Sequence, residues 1–197
     1  YFTKCNKRFS SDLLIFKHGL EPIFNNDMKI GTSSLRRNLQ AKFHLNAKNI
    51  SSLNGNIDTR IKKLNDGLYD CIILAEAGLK RLNYLLENNN FIRLDHISCS
   101  GQGSLAVQWS EHSQFEELIS SSDAASTSAN LNENIELERS LLRKLGTNCN
   151  SAISIESING ELKGEIYGIN NFVTFKGTNI QTIYKNIKEM GGLELLN

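Results

Sequence analysis

The strongest constraint on this chain is the decapeptide Met28-Lys-Ile-Gly-Thr-Ser-Ser-Leu-Arg-Arg37, in which a short apolar run breaks into a Gly-Thr-Ser-Ser turn and two adjacent arginines open a helix. Gly31 allows a tight turn. Thr32, Ser33 or Ser34 is placed to cap a helix running from about Leu35 to His44. The unpaired N–H groups of that first turn and the positive end of the helix dipole favour a carboxylate or phosphate there. Arg36 and Arg37 add two rigid donor forks that match planar carboxylates. Consecutive helix positions lie about 100° apart, which predicts that the two arginines cannot both face one oxygen pair. A ligand with several carboxylates would use both. The competing expectation is a capped helix carrying two solvated arginines.

Around this decapeptide the pattern alternates between strands and helices. Ser11 to Phe16 is a short apolar run, and Tyr1-Phe2-Thr3 has the look of a strand already under way. Lys48 to Leu53 is a strand candidate. Ile57, Ile61 and Leu64 mark one face of a helix with Asn56 or Asp58 as its cap and Gly67 as its stop. Tyr69 to Ala75 is a continuous apolar run, as expected of a central parallel strand covered on both faces. Leu79, Leu82 and Leu86 are expected to carry the next helix. This order implies a right-handed α/β unit that binds ligands at the strand C-terminal ends. After Ser100-Gly-Gln-Gly-Ser104, the run Leu105 to Trp109 is expected to cross back to an earlier sheet. Ser120 to Asn134, rich in Ser, Asn and Ala, is the best linker candidate. Beyond it, an amphipathic helix over Ile135 to Leu145 ends at Gly146. Strands then run over Ser151–Ile158, Leu162–Tyr167 and Phe172–Phe175, with a turn at Asn159-Gly160, before a helix through Ile180, Ile183, Ile187 and Met190. That tail reads as a small α+β domain.

Composition sets limits on the partners. A net charge of +1 over 197 residues gives no global attraction to nucleic acid or anionic lipid, and aromatics do not interleave with the arginines. No nucleic acid partner is expected, and no membrane, because no apolar run is long enough for a spanning helix. The cysteines at positions 5, 71, 99 and 149 show no paired metal-ligand spacing, so no metal is expected and free thiols in a reducing compartment are. Within its apolar run Cys71 reads as a small buried hydrophobe.

Taken together, Ile30-Gly-Thr-Ser-Ser-Leu-Arg-Arg37, Asn54-Gly-Asn-Ile-Asp-Thr-Arg60, Leu64 to Leu74, Ala77-Gly-Leu-Lys-Arg-Leu82, Gly101-Gln-Gly103 and Glu138-Arg139 upstream of Cys149 resemble the porphobilinogen deaminase (hydroxymethylbilane synthase) family. The resemblance implies an α/β fold: a periplasmic-binding-protein-like lobe, with a return segment of a first lobe, followed by a small α+β C-terminal domain. On that pattern residues 1–9 are a remnant of the first lobe and 10–98 the second lobe. Residues 99–125 return to the first lobe, and 126–197 form the cofactor-carrying domain.

The function implied is that of a transferase of heme and other tetrapyrrole biosynthesis. It joins four porphobilinogen molecules head to tail with release of ammonia and frees linear hydroxymethylbilane with water. A dipyrromethane cofactor is expected as a thioether on Cys149, with Thr32, Ser33, Ser34, Arg36, Arg37 and Arg60 binding it, and with Arg81, Arg36 and Arg60 on the substrate. Each pyrrole carries two carboxylates, which explains the need for several arginines. Three departures accompany the match. The family usually has an arginine where Asn54 stands, and Gly-Gly-Cys where this chain has Thr147-Asn148-Cys149. Its catalytic aspartate lies in a His-Ser-x-Lys-Asp motif absent from these residues, so no catalytic residue is assigned here and the aspartate is expected upstream. The chain alone is therefore expected to be inactive, and the full-length protein to be a monomer, cytoplasmic or plastid. The alternative of another class is a non-catalytic anion-binding module of periplasmic-binding-protein type.

Overall fold

The computed structural model describes residues 2–3, 9–84, 90–104, 106–107, 129–147 and 151–196. Among them the chain is a mixed α/β structure whose strands form three sheets. The largest has five strands: β2 (Asp12–Phe16), β3 (Lys29–Gly31), β4 (Asn49–Ser51), β5 (Cys71–Ala75) and β6 (Phe91–Arg93), in the spatial order β4-β3-β5-β2-β6. Strand β3 is parallel to β4 and β5, whereas β2 runs antiparallel to β5 and β6. The central strand β5 is thus parallel to β3 but antiparallel to β2, so the expectation of a central parallel strand holds on one side only. Its continuous apolar run reflects burial on both faces, and burial does not fix the direction of a neighbour.

The period-2 alternation of a strand explains how this sheet holds two cores. Leu13 and Ile15 of β2, with Ile72 and Leu74 of β5, face the helices α2 (Ile57–Asn65) and α3 (Glu76–Arg81), where Ile61, Leu64 and Leu79 cover them. Leu14, Phe16, Cys71 and Ile73 face the other way, onto Ala41 of α1 (Leu35–His44) and onto Leu94. Cys71 is fully buried, as expected of a small hydrophobe. Asn56 caps α2, and Gly67 follows that helix with a φ of 77°. Helix α3 ends at Arg81, Leu82 is 54% exposed rather than part of an apolar face, and Leu86 lies outside the described residues.

The C-terminal part is an antiparallel meander of β8 (Ile153–Ile158), β9 (Glu161–Tyr167) and β10 (Phe172–Gly177). Asn159 and Gly160 both take positive φ, 51° and 79°, as the tight turn between β8 and β9 requires. The helices α4 (Ala129–Leu145) and α5 (Ile180–Glu189) pack on the sheet through Leu141, Ile183 and Ile187. Two expectations are corrected here. The segment read as a linker up to Asn134 is helical from Ala129 onward, and Met190 is 48% exposed, outside the core. A separate short pair joins β1 (Phe2–Thr3) to β7 (Ala106–Val107), antiparallel, so the stretch after Gly103 returns to the earliest described strand. No described helix is long and apolar enough to cross a membrane.

Candidate functional site

The turn before α1 is built from its residue types, though Gly31 serves it differently from expectation. Gly31 is the last residue of β3 and does not take a left-handed conformation. A Cβ there would sit 2.8 Å from Tyr69 Cδ1 and 3.0 Å from Ile72 Cγ2, so glycine is required for close packing rather than for the turn. Ser34 is the N-cap, and its hydroxyl accepts from the Arg37 N–H at 3.4 Å. Thr32 is buried and its hydroxyl accepts from the Ser34 N–H, so it braces the turn. Ser33 and Ser34 line a cleft of about 1040 Å³ beside the turn.

Both arginines converge on one carboxylate. Arg36 Nη2 lies 3.0 Å from Asp12 Oδ2, and Arg37 Nη2 lies 2.7 Å from Asp12 Oδ1. The angular argument from helix geometry is therefore overturned: the Cβ directions diverge, but the long side chains curl toward a carboxylate at the start of β2. The solvated-arginine alternative fails as well, since Arg36 is buried and the Arg37 side chain is 13% exposed. Both terminal nitrogens of Arg36 are further engaged, donating to Gln40 Oε1 at 2.6 Å, the Ile97 carbonyl at 3.4 Å and Gln102 Oε1 at 3.4 Å. Burial acts to raise the Asp12 pKa, but Arg37 and Arg36 together hold it below its ordinary value. Gln102 Nε2 donates to Asp12 Oδ1 at 3.0 Å, completing the cluster.

Further positive charge meets this cluster from α2. Arg60 donates through Nε to the Gly55 carbonyl at 2.7 Å, and its pKa is lowered first by burial and then by repulsion from Arg37. Two guanidiniums thus share one carboxylate, and Arg60 is near enough to feel the charge of Arg37. Arg37 Nε is moreover buried with no hydrogen-bond acceptor among the described residues. This donor set fits an anion with more than one carboxylate. Arg81 is tied to the neighbouring loop, where Nη2 donates to the Gly103 carbonyl at 2.6 Å. Gly103, at a φ of 86°, lies so close to the Phe9 backbone that a Cβ would meet its oxygen at 2.6 Å.

The cleft runs from Ser33, Arg36 and Arg37 across Cys99 and Gln102 to Arg139, Thr147 and Ser151, so it lies between the five-stranded sheet unit and the C-terminal unit. Thr147 and Ser151 flank Cys149, which itself lies outside the described residues. Asp12 and Gln102 join the site without being among the residues that the sequence predicts for it. Asp12 is the only charged residue in an otherwise apolar, fully buried strand, which is the signal that could have found it.

A second polar cluster lies where α1 meets β9. His44 Nε2 is 3.3 Å from both Glu165 Oε2 and the Tyr167 hydroxyl, and Tyr167 donates to Glu165. The His44 and His96 rings lie 5.1 Å apart, and the His96 pKa is lowered, first by burial and then by His44. Burial and the Glu165 hydrogen bond likewise push the Tyr167 hydroxyl upward.

Residues 3–117 match the family model described as porphobilinogen deaminase, dipyromethane cofactor binding domain. Relatives named porphobilinogen deaminase include one from Campylobacter hominis, 37% identical over 74% of this chain and 46% of its own length. Another, from Brevibacillus brevis, is 37% identical over 75% of this chain and 45% of its own. A third, from Streptococcus sanguinis, is 38% identical over 73% and 48%. The chain spans about half the length of these curated relatives.

Proposed function

Because the chain belongs to the porphobilinogen deaminase family, we propose that it forms the cofactor- and substrate-carboxylate-binding part of an enzyme that condenses four porphobilinogen molecules into hydroxymethylbilane with loss of ammonia. The observation that carries this reading is the meeting of Arg36 and Arg37 on a single carboxylate beside the head of α1, with Arg37 Nε left without an acceptor among the described residues at the cleft. A growing oligopyrrole is a polyanion, and an excess of fixed guanidiniums in a partly desolvated cleft is the complement it needs.

In this reading Arg37 and Arg60 take carboxylates of the bound pyrroles, with Ser33 and Ser34 donating from the turn and Arg36 holding the geometry. Arg81 fixes the loop at Gly103 that closes one side, and its remaining donors are available to substrate. Cys149 would hold the dipyrromethane as a thioether, and the bound group would offer a pyrrole end for addition of substrate. The chain's own residues bind and orient; proton transfer belongs to an aspartate expected outside residues 1–197. We assign residues 10–98 to a periplasmic-binding-protein-like second lobe and 126–197 to the cofactor-carrying domain. Residues 1–9 and 99–125 are assigned to a first lobe, supported by the β1–β7 pairing. The whole protein is proposed to act as a monomer in the cytoplasm or a plastid.

The test compares Arg37→Leu with Lys42→Leu, on the same helix, in the whole protein. Lys42 donates to the Ile169 carbonyl on an exposed edge and lies over the Phe43 ring, outside the lining of the cleft. Loss of one charge-assisted contact predicts that Arg37→Leu lowers kcat/KM for porphobilinogen by about tenfold or more, with Lys42→Leu close to wild type. Equal effects would refute the assignment of Arg37 to ligand binding.

A further inference from the structure

The motif that marks the site holds two arginines, but the group that organises them is supplied by another element. Asp12 is 3% exposed, and its two oxygens are divided between the guanidiniums, Oδ2 to Arg36 and Oδ1 to Arg37. Gln102 reinforces it from the loop after β6, donating to Oδ1 at 3.0 Å and to the Ser10 carbonyl, while its own Oε1 lies 3.4 Å from Arg36 Nη2 and 3.5 Å from Arg37 Nη2. With Gln40 and Ile97 filling the other fork of Arg36, the two arginines become unequal. Arg36 has both terminal nitrogens committed to protein acceptors, whereas Arg37 keeps a buried Nε with no acceptor among the described residues, beside the cleft.

We propose that Asp12 is a positioning residue for porphobilinogen and cofactor carboxylates: held by Gln102, it locks Arg36 as a buried pillar and fixes Arg37 as the ligand-facing arginine of the pair. The inference rests on the functional reading above. Its physical basis is charge and geometry together. Two adjacent guanidiniums in a dry site repel one another, and without the shared carboxylate Arg37 would swing to solvent and lose its aim at the cleft. Asp12 cancels one charge and sets the angle, leaving the other charge for the ligand.

A double-mutant cycle in the whole protein tests this with Asp12→Asn, Arg37→Gln and the pair, measuring KM and kcat for porphobilinogen. If Asp12 acts through Arg37, Asp12→Asn raises KM about tenfold with kcat changed less than about twofold, and the double variant is no worse than Arg37→Gln alone. Independent, multiplying effects on KM, or a loss in kcat alone, would overturn the proposal. Should Asp12→Asn fail to fold, Gln102→Met loosens the same carboxylate from its other side. It must then raise KM without adding to Arg37→Gln, and an unchanged KM overturns the proposal. If Arg37→Gln itself leaves KM unchanged, the functional reading fails. If it raises KM while the Asp12 and Gln102 variants do not, only the present inference fails.

Discussion

At the scale of single residues, the arginine pair was legible in the sequence and its counter-charge was not. Donor type and helix position announce Arg36 and Arg37, but the carboxylate they share comes from β2, 24 positions before Arg36, and no local pattern connects the two. The same limit applies to Gly31, whose neighbours Tyr69 and Ile72 are distant in sequence and explain why a side chain is excluded there. The inequality of the arginines gives a prediction about stability. Arg36→Leu removes the cation from Asp12 Oδ2 and the donor from Gln40 Oε1 in a buried setting, leaving Asp12 with Arg37 and Gln102 on Oδ1, so it should destabilise the protein by about 3 kcal/mol, toward the lower end for a broken buried ion pair. Arg37→Leu should cost clearly less, because that side chain has fewer protein partners. Urea unfolding of the two variants checks this, and a larger loss for Arg37→Leu would contradict it.

At the scale of elements, what could be read were features fixed by local chemistry. Ser34 and Asn56 cap α1 and α2, and the Asn159-Gly160 turn joins β8 to β9. What could not be read was how elements meet. The antiparallel placement of β2 beside β5 depends on long-range pairing, and the docking of α1 on β9 and β10 through Phe43, Tyr167 and Phe172 is a tertiary event. That contact carries His44, His96, Glu165 and Tyr167, with Asp12 and Arg36 within electrostatic reach of His96. Because the folded His96 pKa is lowered below its ordinary 6.5, the unfolded chain binds the proton more readily. Its contribution to stability is therefore complete above pH 6.5 and is lost as pH falls through that value toward the folded pKa. The urea midpoint of wild type should drop more between pH 7.5 and pH 5.5 than that of His96→Gln. An identical drop in both would assign the pH dependence elsewhere.

At the scale of the molecule, the C-terminal meander is joined to the α/β unit by a set of polar contacts beside the cleft. Ile155 N–H donates to the Ser98 carbonyl at 2.8 Å, Glu138 accepts from the Gly101 N–H at 2.8 Å and Ser10 donates to Glu156 at 2.7 Å. These contacts hold the segments flanking Cys149 opposite the guanidiniums of α1. Family motifs made both sides of the cleft recognisable in the sequence, whereas the contacts that set them face to face involve residues of no distinctive type. The account depends on the cysteine and the arginines serving one bound oligopyrrole. Intact-mass measurement of the purified whole protein, beside its Cys149→Ser variant, tests this most directly. The account predicts a mass excess equal to a covalently attached dipyrromethane in the first and its absence in the second, together with loss of turnover. A fully active protein whose Cys149 is unmodified and alkylates freely would contradict it.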